Sequence, residues 1–164
     1  MMTPEQTSFW ERFCAETGHV GEPFDISSFG DSEQMADELL ALVLIGQKQA
    51  TCALAIWFGI IGTRPPQVGD LSLILDGREN PACVIRTTSV EIKPVHQADA
   101  KFAWDEGEGD RSFNWWKEAH LAYWNREAER EGFNFSEEMD ACFERFELAW
   151  IPDQPSRPKE NPRT

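Results

Sequence analysis

The chain alternates between two kinds of hydrophobic spacing: helical at the start, strand-like in the middle, helical again, and strand-like at the end. Thr3 is placed to cap a first helix, with Pro4 at its first position and Gln6 three residues past the cap. Phe9, Trp10, Phe13 and Cys14 then share one face, and Gly18 ends the run. The segment from His19 to Gly30 is rich in Gly, Pro and Ser and reads as a loop pinned to the core by Phe24, Ile26 and Phe29. A second helix is predicted from Asp31, with Met35, Leu39, Leu42 and Val43 as its buried stripe and Gly46 at the position of a C-terminal cap. Residues 52–61, CALAIWFGII, fit either helix or strand; their alanines favour a helix, broken by Thr63-Arg64-Pro65-Pro66.

The middle of the chain gives β signals. Leu71, Leu73 and Leu75 alternate with Ser72 and Ile74, the turn dipeptide Asp76-Gly77 follows, and Cys83 to Ile92 is a β-branched run stopped by Pro94. These two runs predict a hairpin. A short helix from Gln97 to Asp105 turns Phe102 and Ala103 inward. A longer one, capped by Asp110 or Ser112, runs to about Glu131 and ends at Gly132; Trp116, Ala119, His120, Tyr123 and Trp124 form its buried face. A last strand from Cys142 to Trp150 puts Phe146, Leu148 and Trp150 on one side and Arg145 and Glu147 on the other. From Pro152 the chain is proline-rich and polar and reads as a disordered tail. The order helix, helix, strands, helices, strand predicts an α+β domain, a small mixed β-barrel wrapped by helices. Residues 1–30 form an N-terminal helix and loop packed on the main domain at 31–151, with the tail at 152–164.

Composition narrows the function. At 164 residues the chain suits one domain. Its seven tryptophans and eleven phenylalanines exceed ordinary use, and most must serve the core. The net charge of −14 repels phosphate backbones, which argues against DNA and non-specific RNA binding and leaves room for a nucleoside or other small neutral ligand. Cys14, Cys52, Cys83 and Cys142 form no CxxC pair and read as reduced thiols of a cytoplasmic protein. No metal or other cofactor is expected. No apolar run is long enough to cross a membrane, and MMTPEQTSFW lacks the basic and apolar regions of a secretory signal.

Two stretches carry candidate chemistry. The first, Gly46-Gln47-Lys48-Gln49-Ala50-Thr51, sets a lysine and a threonine hydroxyl three residues apart after a helix end. The plain reading is an exposed lysine and a capping threonine. The functional reading is a lysine whose pKa is lowered in an aromatic cleft, able to take a proton from a hydroxyl nucleophile. The second, Asp105-Glu106-Gly107-Glu108-Gly109-Asp110, offers carboxylates for acid/base work beside two glycines that let backbone approach a ligand closely. Arg86 in a strand core lines a barrel mouth or forms an edge salt bridge. Arg111 pairs with an acid at the helix start or contacts substrate. His19, His96 and His120 are far apart and read as structural, with His96 the best placed for a role because it precedes the acidic run.

With both stretches read, the chain resembles the ASCH domain, through GQKQAT, QVGDLSLILDG, CVIRTTSVEI, FAWDEGEGDRSFNWWKEAH and FSEEMDACFERFELAW, from about residue 30 to 151. It looks most like stand-alone bacterial members with an EGEGDRS-type segment. The resemblance implies a PUA-like barrel with a cleft beside it and a role in RNA or modified-nucleoside biochemistry. Small members are amidohydrolases that remove the acetyl group of acetylcytidine. Their lysine, threonine and glutamate correspond to Lys48 as base, Thr51 as nucleophile or water-orienting hydroxyl, and Glu106 as proton shuttle, with Glu108 the alternative. Glu108, Arg86 and Arg111 are then candidate substrate-binding residues. Other members bind or cleave RNA. The chain departs from the small members at Ala53, where an arginine is common, and at Gln47 and Gln49, which replace a basic and a hydroxyl residue.

Overall fold

A computed structural model describes residues 1–152, so the expectation for the tail lies outside the described residues. The first helix, α1 (Pro4–Thr17), has the capping box read from Thr3 and Gln6 and ends at Gly18 in the left-handed conformation. Strand β1 (Asp25–Ser27) lies inside the segment expected to be a loop and pairs in parallel with β3 (Leu71–Leu75). Three residues carry no periodicity of their own, so only the partner strand makes them a strand. Helix α2 (Glu33–Leu44) is capped by the Ser32 hydroxyl, not by Asp31, whose carboxylate instead receives Arg126.

Residues 52–61, expected as one helix, are split: β2 (Ala50–Leu54) is a strand and α3 (Ile56–Ile61) a short helix. Strand β2 exists because it pairs with β5 (Asp140–Trp150), a contact with no local signal. The hairpin of β3 and β4 (Pro81–Pro94) is present, and β4 is long enough to pair with β5 on its other side across two register shifts. After a 3₁₀ turn at Val95–Gln97, α4 (Ala100–Glu106) starts three residues later than expected, at an Asp99 cap. Helix α5 (Phe113–Glu131) takes Ser112 as its cap.

The five strands form one mixed sheet in the order β1-β3-β4-β5-β2, curled into a half-barrel with helices around it, the PUA-like α+β fold. Alternation along the strands divides the core. Leu73, Leu75 and Val84 pack on Trp10 and Phe13 of α1, whereas Ile74, Cys83, Ile85 and Phe146 pack on Leu40 and Val43 of α2. Ala50, Leu54 and Phe143 meet Phe102 of α4 and Trp116 and Trp124 of α5. The buried stripe of α2 is Ala36, Leu40 and Val43, so of the expected Met35, Leu39, Leu42 and Val43 only Val43 is fully buried. Met35 and Leu39 instead border a cavity, so this helix presents two apolar faces, one to the core and one to the cavity.

Candidate active site

The cavity holds ≈ 850 Å³ between the inner face of the half-barrel, α3, α5 and the segment around β1. Its walls are largely aromatic and aliphatic, including Phe24, Phe29, Trp57 and Tyr123. Thr51 lines it, as do Lys48, Glu106, Glu108 and His120.

The two stretches singled out above are stitched together by backbone. After α2, Gly46 turns left-handed, and the Gln47 and Lys48 N–H groups both donate to Leu42 O at 3.0 Å. The Gln49 N–H then donates to Asp105 O (2.7 Å), and Gln47 Nε2 donates to Gly107 O (2.6 Å). Gln47 and Gln49 thus serve this junction, Gln49 through its own side-chain bond to Gly46 O. The glycines of the acidic run also approach protein rather than ligand. A Cβ on Gly107 would stand 2.3 Å from Gln47 O, and one on Gly109 2.2 Å from the Trp115 ring. Both have positive φ, a conformation that costs an L side chain about 1–2 kcal/mol. Gly107→Ala is expected to exceed that figure because backbone must also move. Urea unfolding would measure it, and an unchanged midpoint would refute the close packing.

Lys48 is only 2% exposed and Glu106 only 1%, so these charges must be compensated inside the protein. Lys48 Nζ donates to Glu108 Oε2 (3.0 Å) and to Ala50 O (2.8 Å) and stands 3.6 Å from Glu106 Oε2. His120 Nε2 reaches the same Glu106 oxygen at 3.1 Å, and its Nδ1 faces Trp116 O at 2.8 Å. Both ring nitrogens therefore face acceptors, which only the imidazolium satisfies, and the ring stacks on Trp116 at 4.1 Å between centroids. The four side chains form a set of two cations and two carboxylates, in which the buried Glu106 Oε1 has no hydrogen-bond partner among the described residues.

Burial pushes the Lys48 pKa down, but Glu106 and Glu108 outweigh it and leave the pKa raised. This corrects the expectation of a lowered lysine pKa: Lys48 is an ammonium. Burial likewise raises the Glu106 pKa, yet Lys48 and His120 hold it well below the usual carboxylate range. Glu108 goes the other way: burial and the neighbouring Glu106 carboxylate lift it to about 7 against the pull of Lys48. His120 is raised because Glu106 overcomes its burial. Glu106, Glu108 and His120 have ligand atoms within 4.8 Å of one another, a spacing a metal ion could use. The Lys48 ammonium already sits against both carboxylates, so the residues do not favour a divalent ion there.

The remaining sequence candidates lie elsewhere. Arg86 is outside the cavity and pairs with Glu147 at 2.9 Å on the exposed sheet face. Arg111 lies outside it too; its guanidinium donates to Trp104 O and covers the Trp104 ring at 3.8 Å, so among the described residues it meets neither an acid nor the cavity. His96 is exposed in the 3₁₀ turn, and His19 packs on Trp10 and Phe13. His120, read as structural, is the histidine that enters the cluster. Its placement one turn after Trp116 was visible, but not the carboxylate waiting opposite.

The profile of the ASCH domain matches residues 25–149. Two crystal structures are similar: an ASCH domain from Lactobacillus crispatus JV V101, 32% identical, with a TM-score of 0.80 over 90% of this chain and 95% of that one; and a protein from Enterococcus faecalis V583, 31% identical, with a TM-score of 0.82 over 90% of each chain. No curated protein matches the chain. The sequence match over most of its length and the shared half-barrel together place this protein in the ASCH domain family.

Proposed function

We propose that this protein is an amidohydrolase that removes an acyl group from the exocyclic nitrogen of a nucleobase or nucleoside of the acetylcytidine kind. The observation that carries the reading is the convergence of Lys48, Glu106 and Glu108 at a cavity that Thr51 also lines. The aromatic walls suit a planar base, for which stacking contributes about 1–3 kcal/mol per base.

The roles differ from those the family resemblance suggested. Lys48 donates to Ala50 O and Glu108 and forms an ion pair with Glu106, so it is the cation that holds the carboxylates together rather than the base. Glu106, locked between Lys48 and His120, stays ionised and anchors the set. Glu108 is the proton carrier, because its pKa lies near neutrality. In the forward step Glu108 accepts the proton of the Thr51 hydroxyl, or of a water oriented by it, as oxygen bonds to the acyl carbon. It then gives the proton to the departing nitrogen as the C–N bond breaks. With Thr51 as nucleophile, an acyl ester forms; a water then attacks the acyl carbon as its proton passes to Glu108, and Glu108 returns that proton to the Thr51 oxygen as the ester C–O bond breaks and the acid leaves.

RNA binding, another activity of the family, has less support. The two arginines of the cavity wall are occupied, Arg64 by Asp70 and Arg126 by Asp31. Incubation with N4-acetylcytidine should release cytidine, and Thr51→Ala should lower kcat by about 10²-fold or more. Absence of turnover by the wild-type protein would overturn the proposal. No helix among the described residues is long and apolar enough to cross a membrane.

A further inference from the structure

The inner sheet face carries a carboxylate with no part in the reaction above. Glu144 on β5 stands directly opposite Thr51 on β2 in the antiparallel register. Opposed residues of such a pair project to the same face with Cβ atoms about 5 Å apart. Both line the cavity. The Glu144 carboxylate is fixed from behind: the hydroxyl of Thr87, itself 1% exposed, donates to Oε2 at 2.6 Å. Its charged neighbours are Asp25 and Asp70, both acidic, and Asp70 is spent on Arg64. A half-buried carboxylate with no cation beside it among the described residues, held by one donor, leaves lone pairs facing the cavity next to the candidate nucleophile.

Such a group discriminates between ligands by the polarity of the atom placed against it. It welcomes an N–H and repels a carbonyl, carboxylate or phosphate oxygen. In the proposed reaction the carbon attacked at Thr51 is bonded to the nitrogen of the scissile amide, which is also the amino nitrogen of the product, so this N–H enters the neighbourhood of Glu144.

We propose that Glu144 is the recognition residue of the cavity: it accepts the N–H on the exocyclic nitrogen of a cytosine-type base, in the acylated substrate and in the free amine alike. This rests on the reading of the cavity as a nucleobase site. It predicts selection of a cytosine over a uracil, which puts a carbonyl oxygen at the same position. It also assigns a purpose to Thr87, whose hydroxyl keeps the carboxylate oriented. Burial and the two aspartates raise the pKa of Glu144, so recognition is strongest on the alkaline side, where the carboxylate is ionised.

Binding can be tested without turnover. Trp57, Trp115 and Trp124 border the cavity and report on it by fluorescence. At pH 8, titration of the wild-type protein should show cytidine bound about tenfold or more tightly than uridine. Glu144→Leu should abolish that preference while leaving uridine affinity close to wild type. Thr87→Val, which keeps the carboxylate and withdraws its anchor, should reduce the preference severalfold with a normal circular dichroism spectrum; it serves if the leucine variant does not fold. Equal binding of the two nucleosides by the wild type, binding of neither, or a preference that survives both variants would overturn the proposal. The two proposals fail separately. A cytidine preference that depends on Glu144, with no hydrolysis of acetylcytidine, defeats only the amidohydrolase reading. Hydrolysis with a preference indifferent to Glu144 defeats only the recognition role.

Discussion

Replacing Lys48 with methionine is expected to destabilise the fold by about 3–5 kcal/mol, the cost of leaving buried charge without its partner. The side chains are similar in length, so little packing is lost. What is lost is the ammonium within 3.0 Å of Glu108 and 3.6 Å of Glu106. His120 still compensates one carboxylate, so the excess negative charge falls on Glu108, which must take up a proton. The double variant Lys48→Met/Glu108→Gln removes that excess and should recover most of the stability. Single and double variants compared by urea unfolding give the coupling between the two residues. A double variant no more stable than Lys48→Met would mean that the ammonium does not act through Glu108.

The second large effect is on rate. Glu108→Gln keeps the shape of the side chain but cannot carry a proton, and kcat on acetylcytidine should fall by about 10²–10⁴-fold. The wild-type rate should rise with pH through about 7, as Glu108 ionises and becomes able to accept the proton. The variant should lose that limb. Stability moves in the opposite sense. A glutamate free in the unfolded chain ionises near 4.5, whereas folded Glu108 holds its proton to about 7. Between these values the folded state binds more protons than the unfolded one. The contribution of Glu108 is therefore complete below 4.5 and is lost as pH rises through about 7. A rate profile with no limb near neutrality would separate Glu108 from the proton transfer.

The reassignment of roles within the cluster has one physical cause. In an aromatic cleft alone, a lysine is desolvated and its pKa falls, which is what the sequence pattern suggested for Lys48. Two carboxylates at ion-pair distance reverse the sign. They in turn are unequal, because His120 sits on Glu106 and not on Glu108. The more deeply held carboxylate becomes a fixed charge, and the one nearer the opening becomes the titrating group. Spacing along the chain places Glu106 and Glu108 only two residues apart and cannot rank them. The lysine-binding acidic stretch was legible, but its division of labour was not.

The same contrast runs through the fold. The Thr3 capping box, the Gly18 and Gly132 stops, the β3–β4 hairpin and the long tryptophan-rich helix were all read from the chain, because each is decided by residues within a few positions of one another. The β character of Ala50–Leu54 and of Asp25–Ser27 was not, because short strands are stabilised by partners far along the chain. That the helical face through Met35 and Leu39 borders the cavity and not the core was not legible for a related reason: apolar spacing marks a nonpolar face, but not whether protein or a cavity lies against it.

By itself, then, the sequence determined the class of fold, the family, and the pairing of GQKQAT with the EGEGD run as the stretches of interest. Only the tertiary structure decided which charges meet. It brought His120 to Glu106, set Glu144 opposite Thr51, and turned Arg86 and Arg111 away from the cavity. Local structure depends on short-range sterics and hydrogen bonding, which a sequence displays. The protonation and role of a buried charge depend on the depth of burial and on what stands a few ångströms away, and those are set by strand register and helix packing between distant segments.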